Sequence, residues 1–248
     1  MRSTTLGTVL RSSLFALLQL LITPPYAIVS LLTFPLTPYR RYRIISGWAR
    51  LFVYLAEAVC GVRYRVAGRA NIPREPCVFL AKHQSAWETL AFQVILPPHV
   101  MVIKRELLWI PFFGWGLALM SPIAIDRGAG MRSLKQILEQ GKQRLGSGFG
   151  VVIYPEGTRM TPGKRGKYQT GGAWLAVRAG VPVVPIAHNA GYLWPRNSFV
   201  KRPGHVTVSI GPPIATEGRR PDAVIDQASA WIEAECERLG DARQSPLP

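Results

Sequence analysis

Acid is scarce in this chain. Of its 248 residues only 14 are Asp or Glu, against 30 Lys or Arg, a formal net charge of +16. An excess of that size selects anionic partners: nucleic acid, an anionic membrane surface or phosphorylated small molecules. Histidine and cysteine are also few, with four and three. Cys60, Cys77 and Cys236 lie far apart, form no C-x-x-C pair and are odd in number, which suits a reducing compartment. Each sits among apolar neighbours and reads as a buried structural thiol. The histidines do not cluster with them, so no zinc or other metal is expected. The basic residues are scattered, and no helix-turn-helix, zinc-finger or RNA-binding signature is present. Nucleic acid is therefore not an expected partner. There is no internal repeat and no low-complexity linker. What is there is 48% apolar, enough for one large domain with a real core, alone or with an appendage.

Charge is missing altogether from residues 12–39. That stretch exceeds the roughly 20 residues a spanning helix needs. Pro24 and Pro25 cut it into two shorter apolar pieces, 14–22 and 26–34, each too short to cross alone. The pair fits one kinked spanning helix or a hairpin dipping into one leaflet. Arg40, Arg41 and Arg43 follow at once and put this flank on the cytoplasmic side. No small-x-small cleavage site follows Ile22, which argues against a cleaved signal peptide. Next, Ile44, Ile45, Trp48, Leu51, Phe52, Leu55 and Val59 recur at helical spacing, with Arg43, Arg50 and Glu57 on another stripe. This is an amphipathic helix. It either packs on the globular core or lies in the lipid interface, anchored by Trp48 and the arginines.

From Val62 onward, short β-like runs alternate with helical patterns. Strands are expected at 62–66, 77–81, 100–103, 123–125, 150–154, 181–187 and 206–210. Helices are expected at 89–96, 131–145, 173–179 and 223–239, with an apolar, aromatic, glycine-punctuated stretch at 109–120. The fold class is α/β: a mixed, largely buried sheet flanked by helices, preceded by an N-terminal membrane-associated helical pair. The boundary falls near Gly61, giving a membrane-associated segment over 1–60 and an α/β domain over 61–248. His99 reads as a loop residue, His188 as a neighbour of the site, and His205 as an exposed strand start.

Two short runs carry chemistry. In KHQSAWETL, His83 and Glu88 stand five apart. On one helix they would point about 140° apart. His83 therefore belongs in the loop after a strand and Glu88 in the first turn of the next helix. There the carboxylate orients one imidazole nitrogen and leaves the other free to take a proton. The competing reading is a capping box, with Ser85 at the N-cap and Glu88 bound to its amide. Ser85 lacks the G-x-S-x-G turn of an exposed nucleophile. In the second run, YPEGTR at 154–159, glycine allows close backbone approach, threonine supplies a hydroxyl, and Arg159 offers a planar fork for phosphate oxygens. The alternative is a surface turn closed by a Glu156–Arg159 ion pair.

KHQSAWETL, KRELLWIPFFGWGLALMSPIAIDR, YPEGTR and VPVVPIAHNAG occur in that order over residues 62–213. This series resembles the glycerolipid acyltransferase family, and most of all its bacterial lysophosphatidic acid acyltransferase branch. The resemblance implies a catalytic His-x4-Asp dyad, here His83 and Glu88, with glutamate where aspartate is usual. It implies glycerol-phosphate binding by the block that ends at Arg127 and by Glu156, Gly157, Thr158 and Arg159, with Lys104 in reach. It implies an acyl-donor region at Val184, Pro185 and Ile186. The implied reaction moves a fatty acyl group from acyl-CoA or acyl-carrier protein, as co-substrate, to the sn-2 hydroxyl of 1-acyl-glycerol-3-phosphate, forming phosphatidic acid. No cofactor is implied. The implied partners are anionic membrane lipids and lysophosphatidic acid, and the implied location is the cytoplasmic face of the inner membrane. Residues 109–120 are candidates for an acyl channel or for ordinary core. Two alternatives stay open: a different lysolipid acceptor, and a non-catalytic lipid-binding protein on the same scaffold.

Overall fold

A computed structural model describes residues 5–241; the side chain of Arg127 lies outside the described residues. Helix α1 (Leu6–Leu31) and helix α2 (Pro38–Cys60) come first. They are followed by β1 (Val62–Ala67), β2 (Val78–Ala81), α3 (Trp87–Ile95), β3 (His99–Lys104), α4 (Phe113–Leu119), β4 (Ile123–Ile125) and α5 (Met131–Gly146). Then come β5 (Gly150–Ile153), α6 (Gly171–Ala179), β6 (Val183–His188), β7 (Gly204–Ile210) and α7 (Pro221–Leu239).

The seven strands form one sheet in the order β1-β7-β6-β2-β5-β3-β4. Five of them, from β6 to β4, run parallel, and β7 turns back antiparallel on β6 with β1 parallel beside it. The central strands β2, β5 and β6 are buried on both faces, as apolar runs in a covered parallel sheet must be. Edge strand β1 alternates, with Arg63 and Arg65 turned to water. Phe79, Val152, Val184 and Val208 face one layer, built by α1, α2 and α3. Leu80, Val151, Ile153 and Val183 face the other, built by α5, α6 and α7. The loops at the carboxyl ends of β2, β5 and β6 meet where the strand order changes direction, the usual ligand position in such sheets.

The prolines do not divide the N-terminal stretch. α1 runs through Pro24 and Pro25 unbroken, so the piece 14–22 and the piece from 26 as far as Leu31 lie in one helix, and the N-terminal pair is α1 with α2. Contacts bracketing the prolines offset their cost. Trp48 Nε1 donates to Thr23 Oγ1 at 3.2 Å, and the Tyr26 hydroxyl donates to the Ile44 carbonyl at 2.6 Å. α1 is long and apolar enough to cross a membrane by length and composition. It is nevertheless docked on the domain. Phe15 is fully buried against Phe52 and Trp194, and Ser12 Oγ accepts from the Lys201 amide at 3.0 Å. α2 buries Ile45, Ala49, Phe52, Val53 and Ala56. The core-packed reading of that helix therefore prevails, with Trp48 partly buried and bonded to Thr23. Residues before Gly61 thus share one core with those after it. Gly61 itself closes α2 in the left-handed region (φ 70°), with Pro203 Cβ 3.0 Å from where a Cβ would stand. Cys60 and Cys77 are buried and Cys236 partly so, all as free thiols.

Candidate active site

β2 ends at Ala81, and the chain leaves the sheet as Lys82-His83-Gln84-Ser85-Ala86 before α3 begins. Glu88, fully buried in the first turn of α3, organises this loop. Its Oε1 accepts from His83 Nδ1 at 2.8 Å, from the Gln84 amide at 3.0 Å and from the Ser85 amide at 2.9 Å. Ser85 Oγ in turn accepts from the Trp87 amide at 3.0 Å. The Ser85 amide bond of the capping-box reading and the dyad thus share one carboxylate, but Ser85 is not the cap: α3 is capped at Ala86 with no side-chain cap hydrogen bond. Burial works to raise the Glu88 carboxyl's pKa, but the neighbouring His188, His83 and the Ser85 amide outweigh it and hold it below the ordinary carboxylate value. An ionised Glu88 fixes the proton of His83 on Nδ1 and leaves Nε2 as the free base nitrogen.

His83 is clamped from behind by the loop after β5. Its amide donates to Glu156 Oε2 at 3.1 Å, and its carbonyl accepts from the Met160 amide at 2.7 Å. Glu156 Oε1 also accepts from Lys82 Nζ at 2.7 Å, and Lys82 reaches Glu233 of α7 at 2.7 Å. Lys82 is one of the largest fully buried side chains in the molecule. Its charge survives burial through these two carboxylates and the Lys164 carbonyl. Glu156 therefore faces Lys82 rather than Arg159, and the ion pair that would have closed a surface turn is absent.

One cavity of about 330 Å³ opens on His83 of the dyad. It is walled by Thr23, Tyr26 and Ala27 of α1, Ile45, Trp48 and Ala49 of α2, and Phe113, Gly116 and Leu117 of α4, with His83, Tyr154 and Arg159 at the polar end. The 109–120 stretch thus contributes a wall through α4. Arg159 is half-buried, and its Nε is enclosed without a hydrogen-bond partner. A second cavity of about 510 Å³ lies on the other face of the β5 end, lined by Glu156, Gly157, Thr158 and the starts of α5 and α6. The YPEGTR turn is consequently split: Arg159 faces the dyad, whereas Gly157 and Thr158 face the second cavity. Lys104 ends β3 exposed, 3.3 Å from Glu106, and stands outside both cavity walls. The backbone of Arg127 opens a 3-10 turn after β4; its side chain lies outside the described residues. Val184, Pro185 and Ile186 are central β6 residues buried in the core and line neither cavity.

Other histidines are more deeply placed than the sequence suggests. His99 is not in a loop but opens β3 and is buried, Nδ1 donating to the Pro97 carbonyl at 2.9 Å and Nε2 accepting from the Gln93 amide at 3.2 Å. Burial pushes its pKa down to about 4. His188 is fully buried at the end of β6, donating from Nε2 to the Lys82 carbonyl at 2.8 Å, and burial lowers its pKa as well. His205 is half-buried in β7 rather than exposed. Sequence reasoning missed Lys82 and Tyr154. A lysine directly after an apolar strand was the signal for the first; for the second it was an aromatic at the end of β5 just before Pro-Glu-Gly. Among the described residues, no group of three or more His, Cys, Asp or Glu is placed to hold a metal ion.

Comparison with known proteins places the chain among relatives of one family. The family described as Acyltransferase matches residues 63–189. The 1-acyl-sn-glycerol-3-phosphate acyltransferase of Pseudomonas aeruginosa is 44% identical over 95% of this chain and 93% of its own. The alpha form of that enzyme from Mus musculus is 32% identical over 71% of this chain and 63% of its own length. A crystal structure of the 1-acyl-sn-glycerophosphate acyltransferase of Thermotoga maritima shares the fold, with a TM-score of 0.81 and 21% identity over 97% of this chain and 98% of that one. With a buried histidine–carboxylate pair whose histidine lines an apolar cavity, and relatives of this kind across its length, the chain belongs to the acyltransferase family.

Proposed function

We propose that the protein transfers a fatty acyl group from acyl-CoA or acyl-carrier protein to the sn-2 hydroxyl of 1-acyl-glycerol-3-phosphate, yielding phosphatidic acid for phospholipid biosynthesis. The observation that carries this reading is the 2.8 Å bond from His83 to Glu88 at the polar end of an apolar cavity whose wall includes Arg159. The names of the Pseudomonas and mouse relatives support the choice of acceptor.

His83 Nε2 takes the proton of the acceptor hydroxyl as its oxygen attacks the thioester carbonyl carbon. Glu88 holds the ring and stabilises the imidazolium that forms. The carbon–sulfur bond then breaks, and the thiolate leaves with the proton returned from His83. Arg159 receives the acceptor's phosphate and so orients the hydroxyl, with Lys104 and Arg127 as further cations on neighbouring strand ends. Glu156 is better described as the partner of Lys82 and the backbone clamp of His83 than as a phosphate contact. Acyl chains fit the walls given by α1, α2 and α4.

The exposed side of α1, with Leu10, Leu14, Leu17 and Leu21, forms the apolar surface for membrane association. Arg40, Arg41 and Arg43 favour the cytoplasmic face and anionic lipid. The test is an acyl-transfer assay on purified protein with lysophosphatidic acid, a panel of other lysolipids and both thioester donors. His83→Ala should abolish transfer while the protein stays folded. Full activity in that variant would remove the dyad from the mechanism, and equal use of unphosphorylated acceptors would remove the phosphate site.

A further inference from the structure

Tyr154 ends the β5 run on the same face as Val152, turned toward α3 and the dyad. Its ring lies against the His83 imidazole, with centroids 4.1 Å apart and planes 21° from parallel. The Phe92 ring is also nearly parallel to it, at 6.4 Å and 14°. The stack and the strand together fix where the hydroxyl sits. That hydroxyl is buried and makes no hydrogen bond with any described residue. An enclosed phenol without a partner is unfavourable, and phenylalanine would fill the same stack without that cost. Arg159 Nε, five positions on, is in the same condition. Both side chains and His83 line one cavity.

Two enclosed donors beside a general base call for an acceptor from outside the chain, and the guanidinium charge selects a negative one. Burial, then the charge of Glu88, raises the Tyr154 pKa well above its ordinary value, so the phenol keeps its proton and remains a donor. We propose that the Tyr154 hydroxyl and the Arg159 Nε–H together receive one anionic oxygen of the substrate at the His83 site. This rests on the acyl-transfer reading above and deepens it. Two oxygens in that reaction carry the required charge. One belongs to the acceptor's phosphate. The other is the thioester carbonyl oxygen, which becomes an oxyanion when the acceptor oxygen adds to the carbonyl carbon and reverts to a carbonyl when the carbon–sulfur bond breaks.

The test is Tyr154→Phe, assayed beside His83→Ala with acceptor and thioester varied separately. The aromatic stack is kept, so the thermal midpoint should hold or rise, while kcat/KM falls about 10- to 100-fold, at or below the loss of a single oxyanion donor elsewhere. A fall in kcat with both KM values unchanged supports the proposal with the thioester oxygen as the occupant. A raised KM for the phosphorylated acceptor alone supports it with phosphate as the occupant. A kcat/KM within twofold of the parent overturns it, and so does a loss of activity that tracks a lowered thermal midpoint. If His83→Ala is dead and Tyr154→Phe is fully active, only the phenol's role fails; an active His83→Ala fails the site as a whole.

Discussion

Glu88 shows how much one side chain can decide. It holds the Gln84 and Ser85 amides, closes the loop and orients the base, all through one oxygen. Glu88→Gln keeps the shape but lets the imidazole settle in the wrong tautomer, so kcat should fall by about 10³–10⁴-fold with the KM for either substrate little changed. Glu88→Asp withdraws the carboxylate by about 1.5 Å, one carbon–carbon bond; activity should drop here too, although aspartate is the family's usual residue. Steady-state kinetics on the two variants checks both. Lys82 makes the opposite case, a charge whose whole task is internal. Lys82→Met leaves Glu156 buried and unpaired and should cost about 3–5 kcal/mol, read as a lowered thermal midpoint. The buried histidines set a pH dependence. His99 falls from 6.5 to about 4 on folding. Below pH 6.5 the unfolded chain therefore binds a proton the folded one refuses. Stability is lost as pH falls from 6.5 toward 4, by at most about 3 kcal/mol from this group. Thermal midpoints from pH 7 to 4 should decline, and less steeply in His99→Gln.

At the scale of elements, α1, α2 and α4 pack on one another and together wall one cavity. Gly116 of α4 faces that cavity, and a Cβ there would meet nothing closer than 3.8 Å. Gly116→Leu should therefore be tolerated by the helix and shorten the space for an acyl chain. The expected result is a shift of donor preference toward shorter acyl groups at unchanged thermal midpoint, measured with a series of thioesters. Gly141 of α5 behaves differently, because a Cβ would lie 2.5 Å from a Leu175 methyl of α6. Most elements were legible from periodicity. The strand positions and the helices after Val62 follow the apolar pattern, because a sheet covered on both faces admits continuous apolar runs and its edge does not. The prolines left a single helix and a hairpin both open, and docking through Thr23, Tyr26 and Phe15 selects the single helix.

For the whole molecule, one side of α1 is bare hydrocarbon, with Leu6 still 75% exposed. A helix docked through Phe15 and Ser12 presents this surface as part of a rigid body. Replacing Leu14 and Leu21 by Glu should weaken binding to anionic vesicles by about 100-fold or more, given about 1.5–3 kcal/mol for each buried leucine. Vesicle flotation reads this out, while activity on a short, soluble acceptor should persist. Retained flotation would move the lipid contact elsewhere.

What the amino-acid order settled alone is what local bonds and periods can encode. The strand–loop–helix around His83 and Glu88 lies within a few residues, so its hydrogen bonds follow from spacing and capping chemistry. The tertiary structure alone decided which way each side of the YPEGTR turn faces, that Glu156 belongs to Lys82, and that α1 walls the cavity. Those facts depend on β2 lying between β5 and β6, which brings loops more than seventy residues apart into contact. No local pattern specifies that adjacency, because long-range charge pairing and cavity walls arise only when separate strands are placed side by side.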